Sequence, residues 1–262
     1  MSDKLKISRT GEVEHWTMND PVTRNALSEE AVDALMRACE RAALDDSLRF
    51  VVLQGGGGFF CAGGSLGGFA QSIGKVWPVG ETDPLIAMSA GFGTLLNALC
   101  ALPQILLVAV DGPAMGGGLG LVCCGDFVLA TPAAVFATPE VTLGVVPAQI
   151  APFVQRRLGD RVARQMLLSG QKISAAQALA LGLVDEVDND LSAAVARRIS
   201  QLRRAAPGAV AHTKNLLSLL NQTAAAGFTA QAAIKFASNL RSAEAAEGLA
   251  AFTDKCKPGW AA

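Results

Sequence analysis

The sequence has little charge and no long uninterrupted apolar run. Charged residues make up 17% of its 262 residues and the formal net charge is -1, so no basic surface of the kind that binds nucleic acid is expected. The apolar run at 105–110 is stopped by Asp111 and is too short to cross a membrane. Residues 1–16 lack the apolar core of a signal peptide. These features predict a cytoplasmic protein that binds neither nucleic acid nor membrane.

Histidine is scarce, and cysteine is neither dense nor regularly spaced. His15 and His212 are the two histidines. Neither can be paired from the sequence with a nucleophilic serine, so a serine-peptidase triad is not supported. The six cysteines follow neither metal-ligand spacing nor the density of a small disulfide scaffold. We therefore expect no metal site, structural histidines and reduced, mostly buried thiols, with the Cys123–Cys124 pair packed in the interior.

Apolar residues are abundant, at 51% of the chain, which is enough for one large core with or without an appendage. Alternation at 12–18 predicts a strand, and the helical spacing at 28–45 predicts a helix capped by Ser28. Short apolar strands at 50–53 and 105–110 each run into a glycine-rich segment. This repeated order of strand, loop and helix predicts an α/β chain of right-handed crossovers.

The rest of the chain is predicted to be mostly helical. Helices are expected at 84–102, 160–168 and 174–181, and the mixed composition of 67–83 indicates a flexible loop over a site. From residue 191 onward the chain is rich in alanine and helical in pattern. We expect a separate helical module there.

Two glycine-rich turns follow apolar strands, at 61–64 and 115–118. Glycine amides are unhindered, and the second turn leads into a segment that is expected to begin a helix. Such amides can stabilise an anionic oxygen. The alternative for either turn alone is tight backbone packing.

Several ordered motifs over residues 10–190 resemble one family. They are NALS at 25–28, VVL at 51–53 leading to FCAGG at 60–64, VAVDG at 108–112 with GGG at 116–118, FATPE at 136–140, LGVVP at 143–147, and the segment 175–187. Together they resemble the crotonase superfamily of enoyl-CoA hydratases and isomerases.

The resemblance implies a fold, an assembly and a substrate. The fold would be a spiral of repeated ββα units at 1–190, which carries the active site, followed by a C-terminal α-helical oligomerisation module at 191–262. The protein would be a homotrimer or a dimer of trimers. It would use a coenzyme A thioester as substrate and hold no permanent cofactor, with the amides of Gly64 and Gly117 forming the oxyanion hole.

The resemblance also assigns an acid/base residue. Hydratases of the family use two glutamates, and this chain keeps one as Glu140 but has Gly120 in place of the other. An apolar setting is expected to raise the pKa of Glu140 toward the working pH, and a charged surface turn is the alternative. Gly120 is expected to enlarge the pocket beside the reacting carbons.

Further substrate contacts are implied at four positions. Arg24 is expected to contact the phosphates of coenzyme A, and Lys255 and Lys257 are expected to complete this site from a neighbouring subunit, although lysines near a tail are usually just solvated. Ala62 belongs to the first glycine turn. Gln149 is expected to orient water or a substrate carboxylate, or else to cap a helix. Ser65 stands where the family commonly carries aspartate, and no role follows from it.

The function expected from these residues is a lyase that adds water to a 3-branched enoyl-CoA of the methylglutaconyl or isohexenylglutaconyl type. The branched class rests on Gly120 and on the resemblance of residues 146–153 to that branch. A single-glutamate enoyl-CoA isomerase, a non-catalytic scaffold that binds coenzyme A and, more remotely, a ClpP-like peptidase are the alternatives.

Overall fold

The structure is a computed structural model, and it describes residues 4–64 and 72–258. Its main sheet has six strands, which lie side by side in the order β1 (Leu5–Thr10), β2 (Val13–Met18), β3 (Phe50–Gly55), β4 (Ile105–Val110), β6 (Phe127–Ala130) and β9 (Glu186–Val187). β1 and β2 form an antiparallel hairpin, and the other neighbours pair in parallel.

A second, three-stranded sheet is formed by β5 (Pro113–Met115), β7 (Val135–Ala137) and β8 (Ile173–Ser174). The chain passes from one sheet to the other and back, because β4 and β6 lie in the large sheet while β5 and β7 lie in the small one. Each passage adds one turn to a spiral. The predicted α/β spiral is confirmed.

The large sheet is covered on both faces. Along β3, Val51 and Leu53 point into the main core, and Phe50 and Val52 point into a second cluster on the opposite face. All six residues of β4 are buried for the same reason. A strand buried on both faces has a continuous apolar sequence rather than an alternating one, which explains the run that predicted this strand.

Five helices of the spiral lie within the described residues. They are α1 (Glu29–Ala43), α2 (Pro84–Ala101), α3 (Gly117–Cys124), α4 (Ala151–Ser169) and α5 (Ala175–Ala180). The Ser28 side chain caps α1, and Asp83 caps α2 ahead of Pro84 in the first turn. By length and composition α2 would also suffice to cross a membrane. Here its Leu95, Leu96 and Leu99 are buried in the main core.

Three C-terminal helices fold back on the spiral: α6 (Leu191–Leu202), α7 (Pro207–Leu240) and α8 (Ala243–Thr253). Ala194, Val195 and Ile199 of α6 fill the second cluster under the large sheet. α7 packs along α2, and α8 packs on a 3-10 helix at Pro139–Leu143. The segment is helical as predicted, and its role in oligomerisation stays a prediction, as does the domain boundary at residue 190.

An ion pair ties the C-terminal helices to the loop before α2. Arg241 donates two hydrogen bonds of 2.6 Å to the Asp83 carboxylate, and both side chains are 10% exposed. Its guanidinium also donates to the Lys75 carbonyl and lies 5.0 Å from the centre of the Trp77 ring. The hydrogen bonds from Arg241 lower the pKa of Asp83. This contact holds the C-terminal helices against the start of α2.

The structure differs from the sequence-based expectations at two elements. β1 was not predicted. The helix predicted at 160–168 is the second half of α4, which begins at Ala151 and is interrupted at Gly159, where φ is +72°. Of the predicted loop at 67–83, residues 67–71 lie outside the described part of the chain, and 72–83 consist of turns and irregular backbone.

Candidate active site

The two glycine-rich turns predicted to act together lie side by side. The Cys61 amide donates to Pro113 O at 3.1 Å, and the Met115 amide donates to Cys61 O at 2.9 Å. Gly63 has φ +94°, and a Cβ there would lie 2.9 Å from Met115 O. The main chains therefore approach each other so closely that this position requires glycine.

Leu27 positions the amides of Gly64 and Gly117 near each other. The Leu27 amide donates to Gly63 O at 2.8 Å, and Leu27 forms an isolated parallel β-bridge with Gly64. Its side chain reaches the second turn, because a Cβ on Gly117 would lie 2.8 Å from Leu27 Cδ1. Phe92 of α2 borders the same spot, with Cζ 3.2 Å from that position. The resemblance includes Leu27 in a motif, but sequence reasoning gave neither Leu27 nor Phe92 this role.

The Gly64 and Gly117 amides have no hydrogen-bond acceptor within residues 4–64 and 72–258. Gly117 is the first residue of α3, where amides have no partner within the helix. Its neighbour Gly116 donates to Ala137 O at 2.9 Å, which fixes the turn. The helix dipole adds partial positive charge at this end. Two free amides so placed are suited to bind an anionic oxygen.

Glu140 lies beside these amides. It belongs to the 3-10 helix at Pro139–Leu143, and its Oε1 lies 2.7 Å from where a Cβ on Gly116 would be. Its Oε2 is buried and has no hydrogen-bond partner among the described residues. Burial raises the pKa of Glu140 to about 7. The carboxyl can therefore both accept and donate a proton at neutral pH.

Gly120 does not open the space that was expected. It lies in the middle of α3, and a Cβ there would be 2.4 Å from Ile150 Cγ2 and 3.6 Å from Leu96 Cδ1. The Ile150 side chain already fills the place that a larger residue would take. The argument that Gly120 enlarges the pocket is therefore wrong, and a role for Gly120 in binding substrate stays a prediction.

Gln149 is a buried bridge rather than a helix cap. It is 6% exposed, and its Nε2 donates to Ser89 Oγ at 3.2 Å and to the Thr229 carbonyl at 3.3 Å. The cap position of α4 is Ile150, with no side-chain hydrogen bond. The capping alternative is therefore wrong. Gln149 joins α2 to α7, and its predicted contact with water or substrate stays a prediction.

The predicted coenzyme A contacts lie at the surface. Arg24 is exposed at φ +58°, its carbonyl accepts from the Ala62 amide at 3.0 Å, and its guanidinium lies 5.3 Å from the centre of the Phe59 ring. Arg24 and Ala62 thus border the first glycine turn. Lys255 is exposed just after α8, and within the described residues no hydrogen bond or ion pair joins it to that turn. Ser65 lies outside them.

The remaining polar and sulfur-bearing candidates lie away from the glycine turns. His15 is in β2, where burial lowers its pKa. Cys123 and Cys124 are buried at the end of α3, which agrees with the predicted packing role.

The free amides of Gly64 and Gly117 lie next to the Glu140 carboxyl. This arrangement defines a class of α/β enzymes that bind an oxyanion next to a group that transfers protons.

The comparisons with known proteins give that class a family. The family model described as enoyl-CoA hydratase/isomerase matches residues 9–262, and the chain belongs to this family. Its fold and activity class are therefore those predicted from the motifs: it is an enzyme of the crotonase superfamily, whose members act on coenzyme A thioesters.

Relatives and solved structures match nearly the whole chain. The 2,3-dehydroadipyl-CoA hydratase of Escherichia coli is 33% identical over 97% of both chains. The carnitinyl-CoA dehydratase of Salmonella enteritidis is 30% identical over 99% of both. The crystal structure of an enoyl-CoA hydratase/isomerase from Marinobacter aquaeolei is 38% identical, covers 100% of both chains and superimposes with a TM-score of 0.80.

Proposed function

We propose that the protein adds water to an α,β-unsaturated acyl-CoA, with Glu140 as its acid/base residue and the Gly64 and Gly117 amides as its oxyanion hole. One observation carries the proposal: an unpartnered carboxyl with a pKa of about 7 lies against Gly116, next to two free amides. The two relatives named above are a hydratase and a dehydratase, which supports water addition.

One carboxyl is sufficient for this reaction. Glu140 as carboxylate takes a proton from water while the oxygen forms a bond to the β-carbon. The electron pair of the double bond moves onto the thioester oxygen, which the two amides stabilise. The enolate then collapses, and the Glu140 carboxyl returns its proton to the α-carbon. Both protons and the oxygen come from one water molecule, and Glu140 ends in its starting state.

Isomerisation is the second candidate, and the surroundings of Gly120 favour it. The family's second glutamate would stand at Gly120, where the apolar side chains of Ile150 and Leu96 lie beside the position of a Cβ. A single carboxyl can also move a proton between the α- and γ-carbons without adding water. Incubation with a 3-enoyl-CoA separates the two reactions, because hydration adds the mass of water to the product and isomerisation does not.

The acyl group and the assembly remain proposals. We propose a 3-branched acyl group on the resemblance of residues 146–153 alone, since the space beside Gly120 does not support it. Parallel assays with crotonyl-CoA and 3-methylglutaconyl-CoA test this directly, and a preference for crotonyl-CoA contradicts it. We also propose a trimer or a dimer of trimers, which light scattering across dilution measures.

Glu140→Gln tests the mechanism. The change keeps the shape of the side chain and removes the titrating group, so kcat should fall by at least about two orders of magnitude while acyl-CoA binding is nearly retained. Glu81→Gln is the matched control, because Glu81 is exposed in the loop before α2. Turnover of Glu140→Gln equal to that of the control would remove Glu140 from the mechanism.

A further inference from the structure

A second reactive cluster lies where α2, α3 and α4 meet, away from the glycine turns. Cys100 is at the C-terminal end of α2, and Cys124 is the last residue of α3. Arg156 of α4 places its Nη2 2.9 Å from Cys100 Sγ. The hydration mechanism uses none of these three side chains.

The surroundings of Cys100 favour its thiolate. A hydrogen bond from Cys124 and the positive charge of Arg156 lower the pKa of Cys100 to about 7. The Phe153 ring lies 5.3 Å from the Arg156 guanidinium and helps to hold it in place. The other cation near Cys100 is Lys214, which is engaged by Asp126 and the Gln104 carbonyl. Arg156 is therefore the cation that most directly stabilises a thiolate here.

Other cysteines lie in the opposite environment. Burial raises the pKa of Cys39, Cys61 and Cys123 to about 12, so these thiols stay protonated and unreactive at neutral pH. Cys100 is only half-buried, and Arg156 is exposed. A small reagent from solvent can therefore reach Cys100.

Cys124 is fixed as a neighbouring thiol. It is buried, and its Sγ lies 3.3 Å from the Gly120 carbonyl and 3.5 Å from the Leu96 carbonyl. Burial keeps its pKa well above the ordinary value. Leu96 is one helical turn before Cys100 on α2, so the Cys124 thiol packs against the turn that carries Cys100. A protonated thiol beside a thiolate is the arrangement in which one sulfur is oxidised first and the other resolves the product.

We propose that Cys100 is a redox modification site that hydrogen peroxide oxidises with the help of Arg156, and that Cys124 resolves the oxidised sulfur to a disulfide. The Cys100 thiolate attacks one peroxide oxygen, an S–O bond forms, the O–O bond breaks, and hydroxide leaves and takes up a proton. Cys124 then attacks the sulfenic sulfur, and its thiol proton leaves with the hydroxyl as water. Two thiols lose two electrons in total and peroxide becomes two waters. The resulting bond joins α2, which carries Phe92, to α3, which begins at Gly117.

Alkylation kinetics test the activation of Cys100. The intact enzyme is treated with limiting iodoacetamide at about pH 6.5, where a thiol of pKa about 7 is about one quarter thiolate and an ordinary thiol only about 1% thiolate. Cleavage before aspartate places Cys100 in the peptide 83–110. Cys100 should react at least about tenfold faster than exposed Cys256, and Arg156→Gln should remove most of that advantage. Equal rates at Cys100 and Cys256 in the unmodified protein would overturn the proposal.

Peptide mapping after peroxide tests the second step. The same cleavage places Cys123 and Cys124 together in the peptide 111–125, so a Cys100–Cys124 disulfide appears as these two peptides linked under non-reducing conditions. Cys123→Ser should leave the link intact. Cys124→Ser should abolish it and leave a sulfenic acid on Cys100 that dimedone traps. A link that survives Cys124→Ser, or peroxide that leaves Cys100 unmodified, contradicts the proposal. Circular dichroism of each variant checks that it is folded.

Discussion

Two groups of residues around α3 differ in what holds them in place. We call Gly64, Gly116 and Gly117 the backbone wall, because main-chain hydrogen bonds between two loops hold it and its working groups are amides. We call Gly120, Gln149 and Ile150 the packing wall, because side-chain contacts between helices hold it. Both walls contain glycine in a similar sequence setting. In one the glycine exposes an amide, and in the other it makes room for an isoleucine.

This difference shows that a glycine in a family motif has no single meaning. At Gly116 the positive φ and the carboxyl of Glu140 both exclude a side chain. At Gly120 the backbone is helical and the only obstacle within reach is the neighbouring side chains. Substitutions in the backbone wall should therefore affect chemistry, and those in the packing wall should affect stability.

The largest expected effect comes from Gly116→Ala. The new Cβ would lie 2.7 Å from Glu140 Oε1 at a backbone φ of +51°, so it should displace both the carboxyl and the turn that presents the Gly117 amide. Loss of an oxyanion donor or of an acid/base group each costs about a hundredfold or more. We expect kcat/KM to fall roughly a thousandfold.

Gly182→Ala is the matched control for backbone strain. Gly182 has φ +76° with nothing within 4 Å of its added Cβ, so alanine there tests strain without a clash. It should cost about 1 kcal/mol of stability and leave kcat/KM unchanged. If Gly116→Ala affects activity no more than Gly182→Ala does, the distinction between the two walls fails.

The second effect is a pH-dependent loss of stability caused by the Glu140 carboxyl, which lies against the backbone wall. The folded protein raises the pKa of Glu140 from 4.5 to about 7, so between these values the unfolded chain ionises while the folded protein stays protonated. Stability that is present below pH 4.5 is thus lost as pH rises through about 7. Glu140→Gln lacks this dependence, so its stability relative to the natural protein should rise by up to about 3 kcal/mol over that range.

Urea unfolding at several pH values measures this difference. The control is Glu81→Gln, which replaces an exposed carboxyl in the loop before α2. A pH-independent difference between Glu140→Gln and the natural protein would show that Glu140 titrates normally, and it would remove the physical basis for its acid/base role.

The backbone wall could be predicted from the sequence, and the packing wall could not. Two apolar strands that run into glycine-rich turns indicate where free amides will lie, since strand exits and helix starts are local features. The contact between Gly120 and Ile150 joins α3 to the start of α4 and depends on how two helices cross. No local pattern encodes it. Gln149 shows the same limit, because its partners Ser89 and Thr229 lie 60 and 80 positions away along the chain.

The third effect tests the packing wall directly. In Gly120→Ala the new Cβ would be 2.4 Å from Ile150 Cγ2, and overpacking of this kind costs about 2 kcal/mol. Ile150→Ala removes the obstacle but leaves a cavity that itself costs roughly 2 kcal/mol or more. The double variant should be more stable than the sum of the two losses implies, by about 1 kcal/mol or more. Additive losses in urea unfolding would mean that the two positions do not contact each other.

The smallest effect is expected from Gln149→Leu, and it decides whether the packing wall takes part in chemistry. Leucine has a similar size but cannot donate to Ser89 Oγ or the Thr229 carbonyl, so unfolding free energy should fall by about 1 kcal/mol. If Gln149 only joins α2 to α7, kcat should change less than about threefold, because the Glu140 carboxyl and the two amides are untouched. Ser89→Ala should give a similar loss of stability, and the two changes together should cost less than their sum, since they remove the same hydrogen bond. A fall in kcat of about a hundredfold in Gln149→Leu with Ser89→Ala unaffected would instead place Gln149 on the water or the substrate. That result would require the side chain to leave its buried partners during turnover, and the packing wall would then contribute to catalysis.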